Sequence, residues 1–309
     1  PRSTRVRSSA ASVCIRDRYN IDYFIDNGFH WSYGIKTRYN RFEKSFFESA
    51  INQNIASDIF IGKVPIKYND FTTQLYLQTE FNRDIALRIG VEDKYVRVFY
   101  ETLINNKPSN EFIDNSNYIN AFSNLILDTY DDKDFPKKGF FLFADYRIYM
   151  LASSFNKDFE PFSQLKGKLG TAFNFVNKFT TQITSEAGVT FGAGNRVFDY
   201  FLGGNNQNFI NNFTSFYGYD VADLSERSYL KSTITLRYEL IKNNYVSFTG
   251  TAGRVDNDIF NKGKIFENTK TGYAFGYGIK SSLGPIEVKY SWSPDTNLNF
   301  WFFNVGFWF

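Results

Sequence analysis

The stretch from Phe300 to Phe309 reads FWFFNVGFWF, and it decides the fold class. Its side chains alternate between two faces, as they do in a β-strand. In a water-soluble protein, so aromatic a strand at the end of a sheet would leave a sticky, unpaired edge. In a bilayer, one face can meet acyl chains while the other faces a lumen, and the edges close against each other. The stretch therefore predicts an all-β protein, a transmembrane antiparallel β-barrel. One face of the strand carries Trp301, Phe303, Val305, Phe307 and Phe309.

The composition fits a barrel that is apolar outside and polar inside. Aromatic residues make up 20% of the 309 residues, yet charged residues make up 22% and the mean hydropathy is −0.36. A large soluble β-sandwich, which also alternates, is the alternative. The sequence has no run of 18 apolar residues, which argues against a transmembrane helix. A net charge of +3 is too small to indicate a nucleic-acid partner.

Thirteen segments have the alternation of strands, and a fourteenth, residues 3–14, has it weakly. Most run ten residues or more, which is long enough to cross a bilayer at a tilt. Because bacterial single-chain barrels have even strand numbers, we predict 14 to 16 strands. The thirteen segments are residues 16–25, 29–45, 64–81, 85–103, 116–130, 139–153, 162–176, 179–193, 228–241, 244–256, 271–282, 286–293 and 300–309.

The connections between these segments alternate between short and long. Asp26-Asn27-Gly28 is a hairpin signal and Asn177-Lys178 is similarly tight, whereas Gly194–Arg227 is the longest connection. Short periplasmic turns and long outer loops are typical of outer-membrane barrels, and a β-sandwich gives no reason for the alternation. We therefore predict that residues 1–309 form one barrel domain, with residues 1–15 unassigned.

Charged side chains alternate with apolar ones on several strands, which would be costly in lipid but not in a wet lumen. These charges either line a pore or anchor the connection 194–227 inside the barrel as a plug. The length, Asn content and aromatic tip of this connection favour the plug. The predicted lumen-facing charges are Glu80, Asp145, Arg147, Lys231, Arg237, Glu239, Glu287 and Lys289.

The sequence contains no recognisable catalytic motif. No Gly-x-Ser-x-Gly motif occurs, so a serine hydrolase site is not predicted. His30 is the single histidine, which excludes a His-based triad and a multi-histidine metal site. Cys14 is also single, and Asp131, Asp132 and Asp134 lack the spacing of a calcium loop, so we interpret them as a solvated turn. We predict no catalytic residue, no cofactor and no metal site.

The longest connection contains FLGG at residues 201–204 and FYGY at residues 216–219, and a regular strand follows at 228–240. This arrangement resembles the sixth outer loop and twelfth strand of the bacterial surface antigen superfamily, the barrels of outer-membrane assembly and secretion proteins. In that family the loop folds back into the lumen and carries an Arg-Gly-aromatic motif, and here Tyr217 stands at the Arg position. The C-terminal strand resembles the assembly signal of such barrels. The resemblance implies a lumen loop motif of Gly203, Gly204, Tyr217, Gly218 and Tyr219.

Four stretches point to a narrower resemblance: 128–139 (DTYDDKDFPKKG), 211–219, 284–294 (GPIEVKYSWSP) and 300–309. They resemble the C-terminal barrel of patatin-like phospholipases from Bacteroidota, and the resemblance covers residues 16–309. It implies a sixteen-strand barrel preceded by a periplasmic module and a patatin domain, a serine-type lipid acyl hydrolase. On this resemblance, the chain is the membrane anchor or conduit of a hydrolase whose catalytic residues lie upstream.

Two other functions stay open: a freestanding barrel that inserts or secretes other proteins, and a barrel that passes solutes. In each case we expect an integral protein of the outer membrane of a Gram-negative bacterium. The expected partners are outer-membrane lipid (lipopolysaccharide and phospholipid), the outer-membrane assembly machinery during biogenesis and a membrane protein complex, but no nucleic acid.

Overall fold

Among the residues that the structure describes, thirteen strands form one antiparallel sheet, and their order in the sheet follows their order in the chain. The structure is a computed structural model that describes residues 17–26, 31–46, 64–81, 84–104, 107–153, 155–192, 196–205, 212–259, 267–296 and 298–306. The sheet strands are β1 (Asp17–Asp26), β2 (Trp31–Phe46), β3 (Val64–Phe81), β4 (Ile85–Ile104), β5 (Lys107–Asp128), β6 (Gly139–Ala152), β7 (Phe162–Val176), β8 (Phe179–Gly192), β12 (Ser228–Ile241), β13 (Asn244–Asp256), β14 (Lys270–Ser281), β15 (Gly284–Trp292) and β16 (Asn299–Val305). Three short strands, β9 (Tyr200–Leu202), β10 (Phe213–Thr214) and β11 (Leu224–Glu226), form a separate sheet.

The predicted all-β, antiparallel fold is confirmed, and the thirteen predicted segments correspond to the thirteen strands of the large sheet. Within the described residues, β1 and β16 are the two edges of this sheet. The weak segment 3–14, Cys14 and His30 lie outside the described residues, as do Phe307 and Phe309. No helix among the described residues is long and apolar enough to span a bilayer.

The two faces of the sheet differ in the way that a lipid environment requires. On β3, Phe71 and Leu75 are 46% and 55% exposed, whereas Thr72 and Gln74 on the other face are 2% and 7% exposed. Apolar side chains therefore point away from the protein and polar side chains point inward. This is the reverse of a soluble sheet, and it is the alternation expected of a barrel wall.

The last strand follows the same rule. Trp301, Phe303 and Val305 are exposed on the outer face, whereas Phe302 and Asn304 are buried on the inner face. The described part of the C-terminal stretch therefore presents its aromatic side chains to lipid, and β16 is hydrogen-bonded to β15 along its whole length.

The strands differ in length, and the longest are β4 with 20 residues and β5 with 22. About 9–11 residues suffice to cross the apolar layer, so this hairpin rises beyond the bilayer. The prediction that β5 starts at residue 116 was wrong, because it starts at Lys107. The early part of β5 is polar and contains a bulge opposite Val98 and Phe99, so its sequence lacks the apolar alternation of a lipid-facing strand.

Candidate functional site

The long connection between β8 and β12 packs against the inward face of the sheet. We call its described residues, 196–205 and 212–227, the outer plug. Its 3-10 helix, Arg196–Phe198, inserts Phe198 between inward-facing rings. The ring centroid of Phe198 lies 4.8 Å from that of Tyr118 and 4.7 Å from that of Tyr149. These rings belong to a fully buried apolar cluster. The predicted fold-back of this loop into the lumen is therefore confirmed for the described residues.

The glycines of the outer plug allow its backbone to touch other backbone. Gly218 has a φ of 76°, and a Cβ at this position would overlap the carbonyl group of Trp292 on β15. Gly203 has a φ of 144°, and its Cβ would overlap the carbonyl oxygen of Asp220. Gly204, with a φ of 73°, accepts a hydrogen bond from the backbone N–H of Phe216 at 3.0 Å. A side chain at Gly218 would force the plug away from the wall, whereas one at Gly203 would disturb the packing within the plug. All three positions also have a positive φ, which L-residues disfavour.

The tip of the outer plug is bonded to the connection between β15 and β16. The hydroxyl of Tyr219 donates to Asp295 Oδ2 at 3.0 Å, and the hydroxyl of Thr296 donates to the carbonyl oxygen of Gly218 at 3.2 Å. The backbone N–H of Thr271 donates to the same Asp295 oxygen at 2.7 Å, and this bond holds the pKa of Asp295 below its usual value. Burial and the hydrogen bond to Asp295 raise the pKa of Tyr219 to about 12. Asp295 therefore acts as an ionised acceptor for the plug.

A buried carboxylate, Glu186 on β8, organises the middle of the outer plug. Lys168 and Lys231 each place Nζ 3.2 Å from Glu186 Oε1. The hydroxyl of Thr214 on β10 donates to Glu186 Oε2 at 2.6 Å, and Lys231 Nζ also donates to the carbonyl oxygen of Ser215 at 3.0 Å. Lys231, one of the predicted lumen charges, thus binds the plug directly. A buried carboxylate with these partners is stable only while its cations stay in place.

A second charge network crosses the inward face from β4 to β6 and includes two of the predicted lumen charges. Arg147 Nη1 lies 2.7 Å from Glu92 Oε2, and Arg147 Nε lies 3.0 Å from Asp145 Oδ1. Gln74 and Asn120 also donate to Glu92, at 2.5 Å and 2.9 Å. These five side chains are almost fully buried. The network ties neighbouring strands together and fills the inside of the sheet with polar groups.

The connection between β5 and β6 crosses the inward face at the opposite, periplasmic end. We call residues 129–138 the strap. Phe135 is 6% exposed, and its ring stacks on Tyr245 of β13 with centroids 4.7 Å apart. Arg237 Nη2 of β12 donates to the carbonyl oxygen of Pro136 at 3.2 Å, and Lys137 Nζ lies 2.6 Å from Glu239 Oε2. Arg237 and Glu239, predicted to face the lumen, therefore hold the strap.

Residues 131–134, interpreted from the sequence as a solvated turn, form a bend in which Asp131 and Lys133 are exposed and Asp132 is half-buried. Asp132 forms an ion pair with Lys280 at the end of β14, and its own carboxylate accepts hydrogen bonds from the backbone N–H groups of Asp134 and Phe135. The distant partner of Asp132, on a strand more than 100 residues away, is the feature of this turn that the local sequence does not show.

A cavity of about 310 Å³ lies between the outer plug and the strap. Tyr217 of the plug and Phe135 of the strap both line it, and the wall between them is formed by β7, β8 and β12–β15. Its lining is mostly polar and includes Lys168, Glu186 and Arg237. Tyr217 is therefore the ceiling of a polar chamber.

The remaining charges that were predicted to face the lumen have partners outside the outer plug and the strap. Glu287 and Lys289 pair with each other on β15, with Oε1 and Nζ 2.9 Å apart. Glu80 lies exposed at the end of β3, where Gln78 donates to it at 2.9 Å. Sequence reasoning missed Glu186 and Lys168, although both alternate with lipid-facing residues and the same period would have identified them.

Among the residues that the structure describes, no group of three or more His, Cys, Asp or Glu side chains is placed to hold a metal ion. The inward-facing carboxylates instead pair with lysine and arginine. The arrangement binds and positions segments of the chain itself.

The OMP85 superfamily matches residues 10–309, almost the whole chain. The chain belongs to the OMP85 superfamily. As an OMP85 barrel, it is an integral protein of the outer membrane. This match supports the broader of the two resemblances, to assembly and secretion barrels, and does not show a patatin-like parent protein or an origin in Bacteroidota.

Solved structures show the same fold at low sequence identity. BamA from Haemophilus ducreyi, in a form lacking POTRA domains 1–3, is similar with a TM-score of 0.66 and 12% identity, over 95% of this OMP85 chain and 62% of that one. CdiB from Acinetobacter baumannii is similar with a TM-score of 0.60 and 12% identity, over 94% and 50%. The chain thus spans between half and two thirds of the length of these structures. No curated protein sequence matches it.

Proposed function

We propose that this chain is the barrel of an outer-membrane protein that inserts or secretes other polypeptides, with a lumen closed to free solutes. The observation that carries the proposal is the outer plug, which Glu186, Lys168 and Lys231 bind to the inside of an OMP85 barrel. The resemblance to assembly and secretion barrels, and the fold likeness to BamA and CdiB, support the same class.

A solute pore requires a wide, permanently hydrated passage. Here the outer end of the lumen is filled by the apolar cluster around Phe198, and the middle is crossed by Glu186 and its lysines. We therefore expect purified protein in planar bilayers to show no large, stable conductance. A steady, porin-like current from the wild-type protein would contradict the plugged lumen.

The proposed activity is tested by reconstitution. Proteoliposomes that contain the full chain receive a small, urea-unfolded outer-membrane barrel, and folding of that substrate is followed by heat modifiability on gels. We expect faster folding than in empty liposomes and in liposomes that contain an unrelated barrel. Equal rates in all three would contradict an insertion function, and a parallel protease-protection assay with a secreted substrate would then test secretion.

The C-terminal strand suggests how the chain itself enters the membrane. Trp301, Phe303 and Val305 present an aromatic, lipid-facing row on an edge strand, and an assembly machinery could bind such an edge by strand addition. We propose that these residues, with Phe307 and Phe309, form the assembly signal. Replacement of Phe303 by Ser should reduce the amount of folded protein in outer membranes, whereas Phe175→Ser on β7, which is also lipid-facing, should reduce it less.

A second proposal concerns the polypeptide to which the barrel belongs. The four stretches that resemble patatin-like phospholipase barrels support a role as anchor for an upstream lipid hydrolase. The decisive measurement is the intact mass of the natural polypeptide, with peptide mapping upstream of Pro1. A larger mass with a Gly-x-Ser-x-Gly peptide would support the anchor, and a polypeptide without such a peptide would contradict it.

A further inference from the structure

The strap reaches much further across the inside of the barrel than a hairpin connection needs to. It joins β5 to β6, which are neighbours, yet its contacts are with β12, β13 and β14. In the order of the sheet, β7 and β8 lie between β6 and β12. Neighbouring strands are about 4.8 Å apart, so the strap bridges several strand widths at the periplasmic end.

The contacts that hold the strap are of three kinds. Phe135 is inserted against Tyr245, and the absence of a side chain at Gly278 makes room for it, since a Cβ there would lie 2.8 Å from Phe135 Cε1. The Arg237 guanidinium lies 5.6 Å from the centre of the Phe135 ring and donates to the Pro136 carbonyl oxygen. One ion pair, Lys137 with Glu239, fastens the end of the strap next to β6.

The second ion pair, Asp132 with Lys280, fastens its other end. The charged members of these pairs are partly exposed: the side chains of Lys137 and Lys280 are 37% and 47% exposed. Pairs of this kind are individually weak and sensitive to salt. The strap is therefore held by one buried ring, by the buried hydrogen bond from Arg237 to Pro136, and by two ion pairs that water and salt can loosen.

From this geometry we propose that the strap is a gate on the periplasmic side of the lumen. It forms the floor of the cavity whose ceiling is Tyr217 of the outer plug. When the strap is latched, the chamber is separated from the periplasm. When Phe135 leaves Tyr245 and the two ion pairs break, the chamber opens to the periplasm while the outer plug stays in place. Access from the two sides is thus controlled by two separate segments of the chain.

The test uses the full chain with a single reporter thiol in the chamber. Thr249 on β13 lines the cavity and is 3% exposed, so Thr249→Cys in a Cys14→Ser background places the thiol behind the strap. A charged, membrane-impermeant thiol reagent is added from the periplasmic side or from the outer side of oriented membranes. We expect slow labelling of the otherwise unchanged protein from both sides.

Unlatching the strap should change only one of these rates. Phe135→Ala combined with Lys137→Ala should accelerate labelling from the periplasmic side by about tenfold. This is the effect of removing about one to two kcal/mol of the free energy that holds the strap in place. Labelling from the outer side should stay unchanged. Phe155→Ala, an exposed aromatic residue in the connection between β6 and β7, is the matched control and should change neither rate. Unchanged periplasmic labelling, or equal acceleration from both sides, would overturn the proposal.

A second measurement does not depend on whether the strap variants fold, because it leaves the strap unchanged. The Thr249→Cys reporter with an intact strap should be labelled faster from the periplasmic side in 1 M salt than in 0.05 M salt, since the ion pairs of the strap are screened. Absence of any salt effect on that side would also count against the gate. Neither result depends on whether the barrel inserts polypeptides, so the two proposals fail separately.

Discussion

The outer plug and the strap both enter the lumen, but they are held there by different physical means. The outer plug contributes whole side chains such as Phe198 to a buried apolar cluster and touches the wall through backbone at Gly218. The strap contributes one ring, Phe135, and one buried hydrogen bond, from Arg237 to Pro136, and otherwise relies on partly exposed ion pairs. The outer plug is therefore part of the buried core, whereas the strap has fewer buried contacts, as the proposed gate requires.

The largest effect should come from crowding the backbone contact of the outer plug. In Gly218→Ala, the new Cβ meets the backbone of Trp292, and the residue must keep a positive φ. We expect a loss of about 4 kcal/mol in unfolding free energy, as the sum of backbone strain and overpacking. The measurement is chemical unfolding in detergent, followed by heat modifiability.

Gly250→Ala is the control for this substitution. Gly250 lies on β13, and a Cβ there would be 3.8 Å from the nearest atoms, those of the Tyr273 ring, which is an ordinary contact. Its stability should stay within about 1 kcal/mol of wild type. If both alanine variants were equally stable, the close approach of the plug to β15 would be wrong.

The next largest effect should follow removal of the central anion. Glu186→Gln leaves Lys168 and Lys231 without their carboxylate, and breaking one side of a buried ion pair costs about 3 kcal/mol. We expect a lower unfolding midpoint and faster protease cleavage within residues 196–227. A further Lys231→Met replacement should recover part of the loss, because it removes one of the orphaned charges. If the double variant recovered no stability, the unpaired lysine charge would not be the cause of the loss.

The equivalent change at the strap should be much smaller. Glu239→Gln removes the partner of Lys137, whose side chain is 37% exposed, and such pairs contribute at most about 1 kcal/mol. We expect little change in the unfolding midpoint but faster labelling of the chamber from the periplasmic side. A loss of stability as large as that of Glu186→Gln would contradict the difference proposed here between the outer plug and the strap.

The smallest effect should be a pH dependence confined to the outer plug. Burial, with a smaller contribution from Glu226, raises the pKa of Asp199 to about 7. A carboxyl group with a raised pKa stabilises the folded loop while it is protonated, so this contribution is complete below the ordinary pKa near 4 and is lost as pH rises through about 7. Protease cleavage of the plug should therefore be a few-fold faster at pH 8 than at pH 5.5. Asp199→Asn should flatten this profile, and Asp158→Asn, on the exposed connection between β6 and β7, should not.

The strands were predictable from the sequence because lipid and lumen impose a strict period of two. Lys231 and Arg237 alternate with Ile234 and Leu236 on β12, and the structure buries the first pair and exposes the second. The alternation of apolar and polar residues is missing at the start of β5. This part of the strand lies beyond the bilayer, where polar residues are tolerated on both faces. Local alternation therefore predicts the wall only where the bilayer acts on it.

The contacts of the two closures could not be predicted in the same way. Phe135 stands among Asp and Lys residues, and its partner Tyr245 is more than one hundred residues away, so no local pattern shows that the ring is buried. The glycines at 203 and 218 could be identified as a loop motif through resemblance, but the carbonyl groups that they approach, of Asp220 and Trp292, depend on how the loop folds and where it meets the sheet.

The outer plug also constrains the order in which the chain can fold. It follows β8 in the sequence, yet it packs both on earlier strands, through Tyr118, and on later ones, through Trp292. A wall completed before the plug was inside would have to reopen to admit it. The sheet must therefore curl around the outer plug while β12–β16 are still being added. Long-range contacts of this kind slow folding. The rate-limiting step should therefore be the enclosure of the plug and not the pairing of any two strands.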